Sequence, residues 1–250
     1  MISVNKIYEA LGNAGRLPKA LEEAEARLAQ SSVESSYAHV GKLGMEEEMS
    51  VLYQSIRLLL PDVQKRAIQF IGSREGEGTS TIARQFASTV ATTFNKSVLI
   101  LDADARKPSQ HVYFDIQPKL TWEDLLRDSQ PVDGAIYKVR NANVCISLIY
   151  QQATVVPRVI NATIIKELLE DLKSTFDLIV IDSAPAGDSS VGVALSGSVD
   201  GVVLVVEAEN TRWQVAENVK EKIMRNSGNI LGVVLNKQQH FIPEFIYRRL

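Results

Sequence analysis

The sequence has one cysteine, Cys145, so no internal disulfide can form and a reducing compartment is expected. Cys145 sits in the apolar run Val144-Cys145-Ile146 and reads as a small core residue rather than a nucleophile. Long hydrophobic runs are also missing. No stretch approaches the roughly 18 apolar residues of a membrane span. The opening MISVNKIYEALG has no long apolar segment, so no signal peptide is expected, and the sequon Asn161-Ala162-Thr163 reads as chance. A large excess of charge is absent too: 27 Lys and Arg stand against 30 Asp and Glu, a formal net charge of −3. Such a chain has no global attraction for nucleic acid or anionic lipid. No internal repeat is visible. A cytoplasmic protein is expected.

What is present suits a globular α/β protein. Hydrophobic residues make up 45% of 250 and charged residues 23%, enough for a sizeable core. Residues 1–44 read as short helices and a Ser-rich linker, a helical extension before the main domain at 45–250. Met45–Leu60 has a helical period and is closed by Pro61. Beyond it, the runs AIQFIG, SVLILDAD, NVCISLIY, DLIVIDSA, GVVLVVEA and ILGVVLNK alternate with amphipathic helical patterns. Continuous Val/Ile/Leu strands between helices predict a mostly parallel sheet with helices on both faces. In such sheets ligands bind at the carboxyl ends of the strands, where every motif below falls.

The strand AIQFIG leads into Ser73-Arg74-Glu75-Gly76-Glu77-Gly78-Thr79-Ser80-Thr81 and then a helix. Strand, Gly-rich turn and helix are the context of a phosphate loop. Gly76 and Gly78 let backbone N–H groups turn inward as an anion nest, and the helix N-terminus adds free amides and partial positive charge. Ser80 is the candidate Mg2+ ligand of the loop. The pattern G-x-x-x-x-G-K-S/T is not met, since Ser73 replaces the first glycine and Thr79 the lysine. A plain Gly-rich turn is the alternative. Against it stand Asp102 and Asp104, expected at the end of the neighbouring strand, and Asp182 after four apolar residues. Carboxylates at adjacent strand ends suit Mg2+ and its waters opposite a phosphate loop.

In order, GEGTSTIARQFA, VLILDADARKP, FDLIVIDSAP, VDGVVLVVEAENTR and LGVVLNK resemble the motifs of MinD/ParA-type P-loop ATPases. More closely, they resemble the bacterial tyrosine kinases and co-polymerase ATPases of capsular and exopolysaccharide assembly. The resemblance implies a P-loop NTPase sheet, ATP or ADP with Mg2+, and a membrane-embedded chain-length partner. It also implies a homodimer or higher oligomer. Carried over, catalytic roles fall on Asp102, Asp104 and Asp182, and metal roles on Ser80, Asp102 and Asp182. Nucleotide contacts fall on Arg74 to Thr81, and Asn236 is similar to an asparagine that touches the adenine. For Asn236 a turn residue ending a strand is the equal alternative.

Three departures qualify the resemblance. The family's lysine on the β/γ-phosphates is Thr79. The family's C-terminal tyrosine cluster is reduced to Tyr247 in HFIPEFIYRRL. The Arg-rich assembly string before the first strand appears as VLYQSIR, with Arg57 retained and Gln54 in place of a basic residue. Nucleotide binding with weak or lost tyrosine kinase activity is expected, with a regulatory role in polysaccharide polymerisation or export. A nucleotide-switched dimer or pseudo-ATPase acting as a binding module is the alternative. Arg74, Arg106 and Lys107 are the candidate replacement cations.

Overall fold

The computed structural model describes residues 45–128, 131–150 and 162–238. The helices and linker expected over residues 1–44, and the tail with Tyr247, lie outside the described residues. Helix α1 (Glu46–Leu59) precedes β1 (Arg66–Gly72), α2 (Thr79–Thr93) and β2 (Val98–Ala103). Then come α3 (Gln110–Tyr113), α4 (Trp122–Arg127), β3 (Tyr137–Lys138) and β4 (Val144–Leu148). The described chain continues with α5 (Ala162–Leu172), β5 (Leu178–Ser183), α6 (Ser190–Leu195), β6 (Gly201–Glu207), α7 (Trp213–Arg225) and β7 (Ile230–Asn236). No helix among the described residues is long and apolar enough to cross a membrane.

The seven strands form one sheet in the order β3-β4-β2-β5-β1-β6-β7. All pairs are parallel except β3 with β4. Side chains alternate between the two faces along each strand. Ile68 and Phe70 of β1, with Val98 and Ile100 of β2, meet Met49, Tyr53 and Ile56 of α1 and Ile82 and Phe86 of α2. Leu99 and Leu101 point the other way, onto Trp122 and the α5 face of Ile165, Leu168, Leu169 and Leu172. Further along that face, Ile71, Val202 and Leu204 meet Val193 of α6 and Val219 and Ile223 of α7. Cys145 is buried within this second face. Because both faces are covered, the strands read as continuous apolar runs.

One expectation of neighbourhood is corrected. Strand β2, with Asp102 at its end, does not adjoin β1, because β5 lies between them. The α2 crossover spans the face and leaves a gap of one strand. Residues 178–183 fill it, pairing with β1 on one side and β2 on the other. Asp102 and Asp182 thereby become direct register partners on adjacent strands.

Candidate functional site

The carboxyl ends of β1, β2, β5, β6 and β7 open on one edge of the sheet. The loop after β1 turns on two glycines in the left-handed region, Gly76 at φ 90° and Gly78 at φ 87°. Gly78 then caps α2, and the N–H groups of Thr81 and Ile82 bond its carbonyl at 3.0 Å. A side chain on Gly78 would be strained by its φ and would strike the Asn236 amide.

Glu77 is buried at 1% exposure and folds back beneath the loop. Its carboxylate accepts from the Ser73 N–H at 2.5 Å, the Ser73 hydroxyl at 2.6 Å and the Arg74 N–H at 3.0 Å. The Thr211 hydroxyl, beyond β6, donates to the same carboxylate at 2.6 Å. From the end of β7, Asn236 Nδ2 donates to the Glu77 carbonyl at 2.8 Å and Lys237 Nζ to the Gly76 carbonyl at 2.6 Å. The segment after β5 closes the near side, with Ala186 N–H on the Gly72 carbonyl at 2.9 Å and Gly187 N–H on the Ser73 carbonyl at 3.0 Å. The loop conformation is thus fixed by groups other than a phosphate, so little reorganisation is left to a ligand.

Beside the loop stand two buried carboxylates. Asp102, 1% exposed, accepts from the N–H groups of Asp104 at 3.1 Å, Ser109 at 2.8 Å and Gln110 at 3.0 Å. Asp182, also 1% exposed, accepts from Gln110 Nε2 at 2.7 Å, and its Oδ1 is buried with no hydrogen-bond partner. Burial, and next the Asp182 charge, push Asp102 up to about 7 against the pull of its three N–H donors. Burial likewise pushes Asp182 up to about 6, opposed by the Gln110 amide and the Ser80 hydroxyl. Two adjacent carboxylates that resist ionisation, one with an idle buried oxygen, suit a cation. No group of three or more His, Cys, Asp or Glu that could hold a metal ion occurs among the described residues. A Mg2+ ion here would therefore need the Ser80 hydroxyl and phosphate oxygens besides the carboxylates, its usual donor set in phosphoryl sites.

The structure separates the remaining candidates. Asp104 does not join the buried pair; its Oδ1 accepts from the N–H groups of Arg106 at 3.0 Å and Lys107 at 3.1 Å, closing its own turn. Lys107 reaches across to the loop tip, with Nζ 2.8 Å from the Glu75 carboxylate. Arg74 turns back toward Glu77 at 3.9 Å, and Arg106 approaches Asp188 at 4.0 Å. Thr79 is buried, its hydroxyl directed at the loop's start beside Gly72. Asn236 ends β7 with its amide on the loop carbonyl, so it is more than a turn residue. Sequence reasoning missed Gln110, Thr211, Lys237 and Arg84. Lys237, adjacent to Asn236 in LGVVLNK, carried a visible signal; Gln110 and Thr211 carried none.

A mostly parallel sheet with a phosphate loop on an inner strand and acids on the two strands beyond it defines the P-loop NTPase class. The chain belongs to the ParA family, whose model, described as NUBPL iron-transfer P-loop NTPase, matches residues 64–246. Among curated proteins it is similar to the tyrosine-protein kinase YwqD of Bacillus subtilis. The two are 23% identical over 190 residues, covering 76% of this chain and 80% of that protein. The kinase domain of Escherichia coli tyrosine kinase ETK shares the fold with a TM-score of 0.67 at 17% identity, over 79% of each chain. MinD of Pyrococcus horikoshii, complexed with Mg-ADP, shares it with a TM-score of 0.57 at 21% identity, over 74% of this chain and 76% of that one.

Proposed function

We propose that the protein binds ATP or ADP with Mg2+ between the Ser73–Thr81 loop and the Asp102–Asp182 pair, as a nucleotide-dependent switch with weak or lost tyrosine kinase activity. The observation that carries this reading is the unpartnered, buried Oδ1 of Asp182 beside a second buried carboxylate at the edge of a preset loop. The N–H groups from Gly76 to Ser80 and the α2 terminus are the groups that bind the phosphates. Ser80, Asp102 and Asp182 hold the metal. When bound, Mg2+ supplies positive charge to the phosphate oxygens and orients them. Asp104, at the mouth of the site, is the residue to accept a proton from an attacking hydroxyl or water. Lys107, already at the loop tip, is the better placed substitute for the lost lysine, with Arg74 second.

The similarity to YwqD, together with the resemblance of the motifs to capsular and exopolysaccharide kinases, supports a regulatory role in polysaccharide polymerisation or export. That role would run through a membrane-embedded co-polymerase partner. The second reading, a dimer switched by nucleotide without chemistry, is favoured by Thr79, which leaves binding groups intact and removes a catalytic charge. Titration calorimetry with MgADP tests the common element of both. Binding in the micromolar to low millimolar range, lost in Asp182→Ala, is expected. Absence of heat from the folded wild type with both MgADP and MgATP sinks the proposal.

A further inference from the structure

Arg84 lies one helical turn beyond Ser80 in α2, on a helix face that packs into the protein. Only 8% of it is exposed, which is rare for a guanidinium, because burying an unpaired charge is costly. Its central carbon stands 3.7 Å over the Tyr113 ring of α3, and Nη2 is 3.5 Å from the Ser80 carbonyl. Gln110 Nε2 donates to that same carbonyl at 3.1 Å. Nε is buried without a partner, and no carboxylate lies within ion-pair distance of Arg84 among the described residues. Burial lowers its basicity, while Tyr113 and the charges of Asp182 and Asp102 act in the opposite sense. A buried cation is therefore set behind the two acids without pairing directly with either.

Resting on the nucleotide reading above, we infer that Arg84 is a positioning residue of the site. Its buried guanidinium, clamped by Tyr113 one turn behind Ser80, supplies from within the core part of the positive charge that Thr79 cannot supply from the loop. A nucleotide phosphate approaching this edge meets Asp102 and Asp182 as well as the loop. Without a loop lysine, their repulsion of the phosphate is opposed by Mg2+ and, from below, by Arg84. The guanidinium also holds the Ser80 carbonyl, and so the first turn of α2, against α3 and Gln110. A lysine in the loop would contact phosphate directly; Arg84 acts through the field on the acids and through the placement of Ser80. Its influence should therefore fade as metal neutralises the carboxylates.

The test is calorimetric titration of ADP into the wild type, Arg84→Met and Arg84→Lys at several Mg2+ concentrations, with circular dichroism and thermal melts of each protein. Arg84→Met is expected to bind roughly tenfold more weakly at low Mg2+, the scale of one charge at moderate depth, with the deficit narrowing as Mg2+ rises. Arg84→Lys is expected to recover most of the loss. Tyr113→Leu, which removes the clamp and keeps the charge, should show a smaller loss of the same form and serves if Arg84→Met does not fold. Binding by folded Arg84→Met equal to wild type overturns the inference alone. So does a loss that is constant across Mg2+ and unrelieved by lysine, which is the mark of a structural role. No binding by the wild type overturns the nucleotide reading and this inference with it.

Discussion

Thr79 brings one hydroxyl and no charge to a position facing the start of its own loop. Phosphoryl-transfer sites work by positioning and by neutralising charge on the transferred group, and one lost donor costs about 10²–10³ in rate. Thr79→Lys should therefore raise MgATP affinity or phosphate release by about tenfold or more. If calorimetry and phosphate release both match wild type, the site departs from its class at more than this residue. The buried acids give a second residue-scale expectation. Both native carboxyls titrate above their unfolded values, so between about pH 4 and 7 the folded state binds more protons than the unfolded one. Their protonation thus supports the ligand-free fold below about pH 4, and that support is lost as pH rises through about 6 and 7. Asp182→Asn removes one charge and keeps an oxygen for Gln110. It should stabilise the ligand-free protein by about 2 kcal/mol at pH 8 and by less at pH 5. Thermal melts at the two pH values check the sign; equal shifts, or a larger gain at pH 5, would contradict it.

At the scale of elements, the phosphate loop ties the end of β1 to the ends of β5, β6 and β7. Glu77 ties the loop to its own first residues and to Thr211 beyond β6, while Asn236 and Lys237 tie it to β7. Asn236→Ala leaves the Glu77 carbonyl without that donor, a loss of about 1 kcal/mol of local order. Faster amide hydrogen exchange across Ser73–Gly78 and several-fold weaker MgADP binding are expected. An unchanged exchange rate there would mean that the remaining ties, from Glu77, Lys237 and the segment after β5, suffice to set the loop. These ties show what the sequence could reveal. The strand–loop–helix pattern and the two loop glycines were legible, because backbone geometry demands them. The inward turn of Glu77 was not, because its donors include Thr211, 134 positions away. The short antiparallel β3 was missed for a like reason: Tyr137-Lys138 has no periodicity and exists only as a partner for β4.

For the molecule as a whole, the alternation of apolar runs with amphipathic helices gave the sheet and its two covered faces, but not the strand order. Nothing in VLILDAD states that β5 will come between it and β1. That insertion sets Asp102 beside Asp182, so the proposed metal site depends on topology as much as on the residues. Arg84 was hidden in the same way: a charged residue inside TSTIARQFA reads as solvated until α3 is seen to cover it.

The same global view bears on kinase activity. Transfer of phosphate to a tyrosine hydroxyl relies on charge placed at the phosphate loop. The loop carries Thr79 where a charged residue would act on the phosphates. Purified wild-type protein incubated with radiolabelled MgATP is therefore expected to show no tyrosine phosphorylation above background. Thr79→Lys should regain ATP turnover. Robust phosphotyrosine on the wild type would overturn the weak-kinase reading and would make Lys107 the first residue to mutate in search of the charge that replaced the lysine.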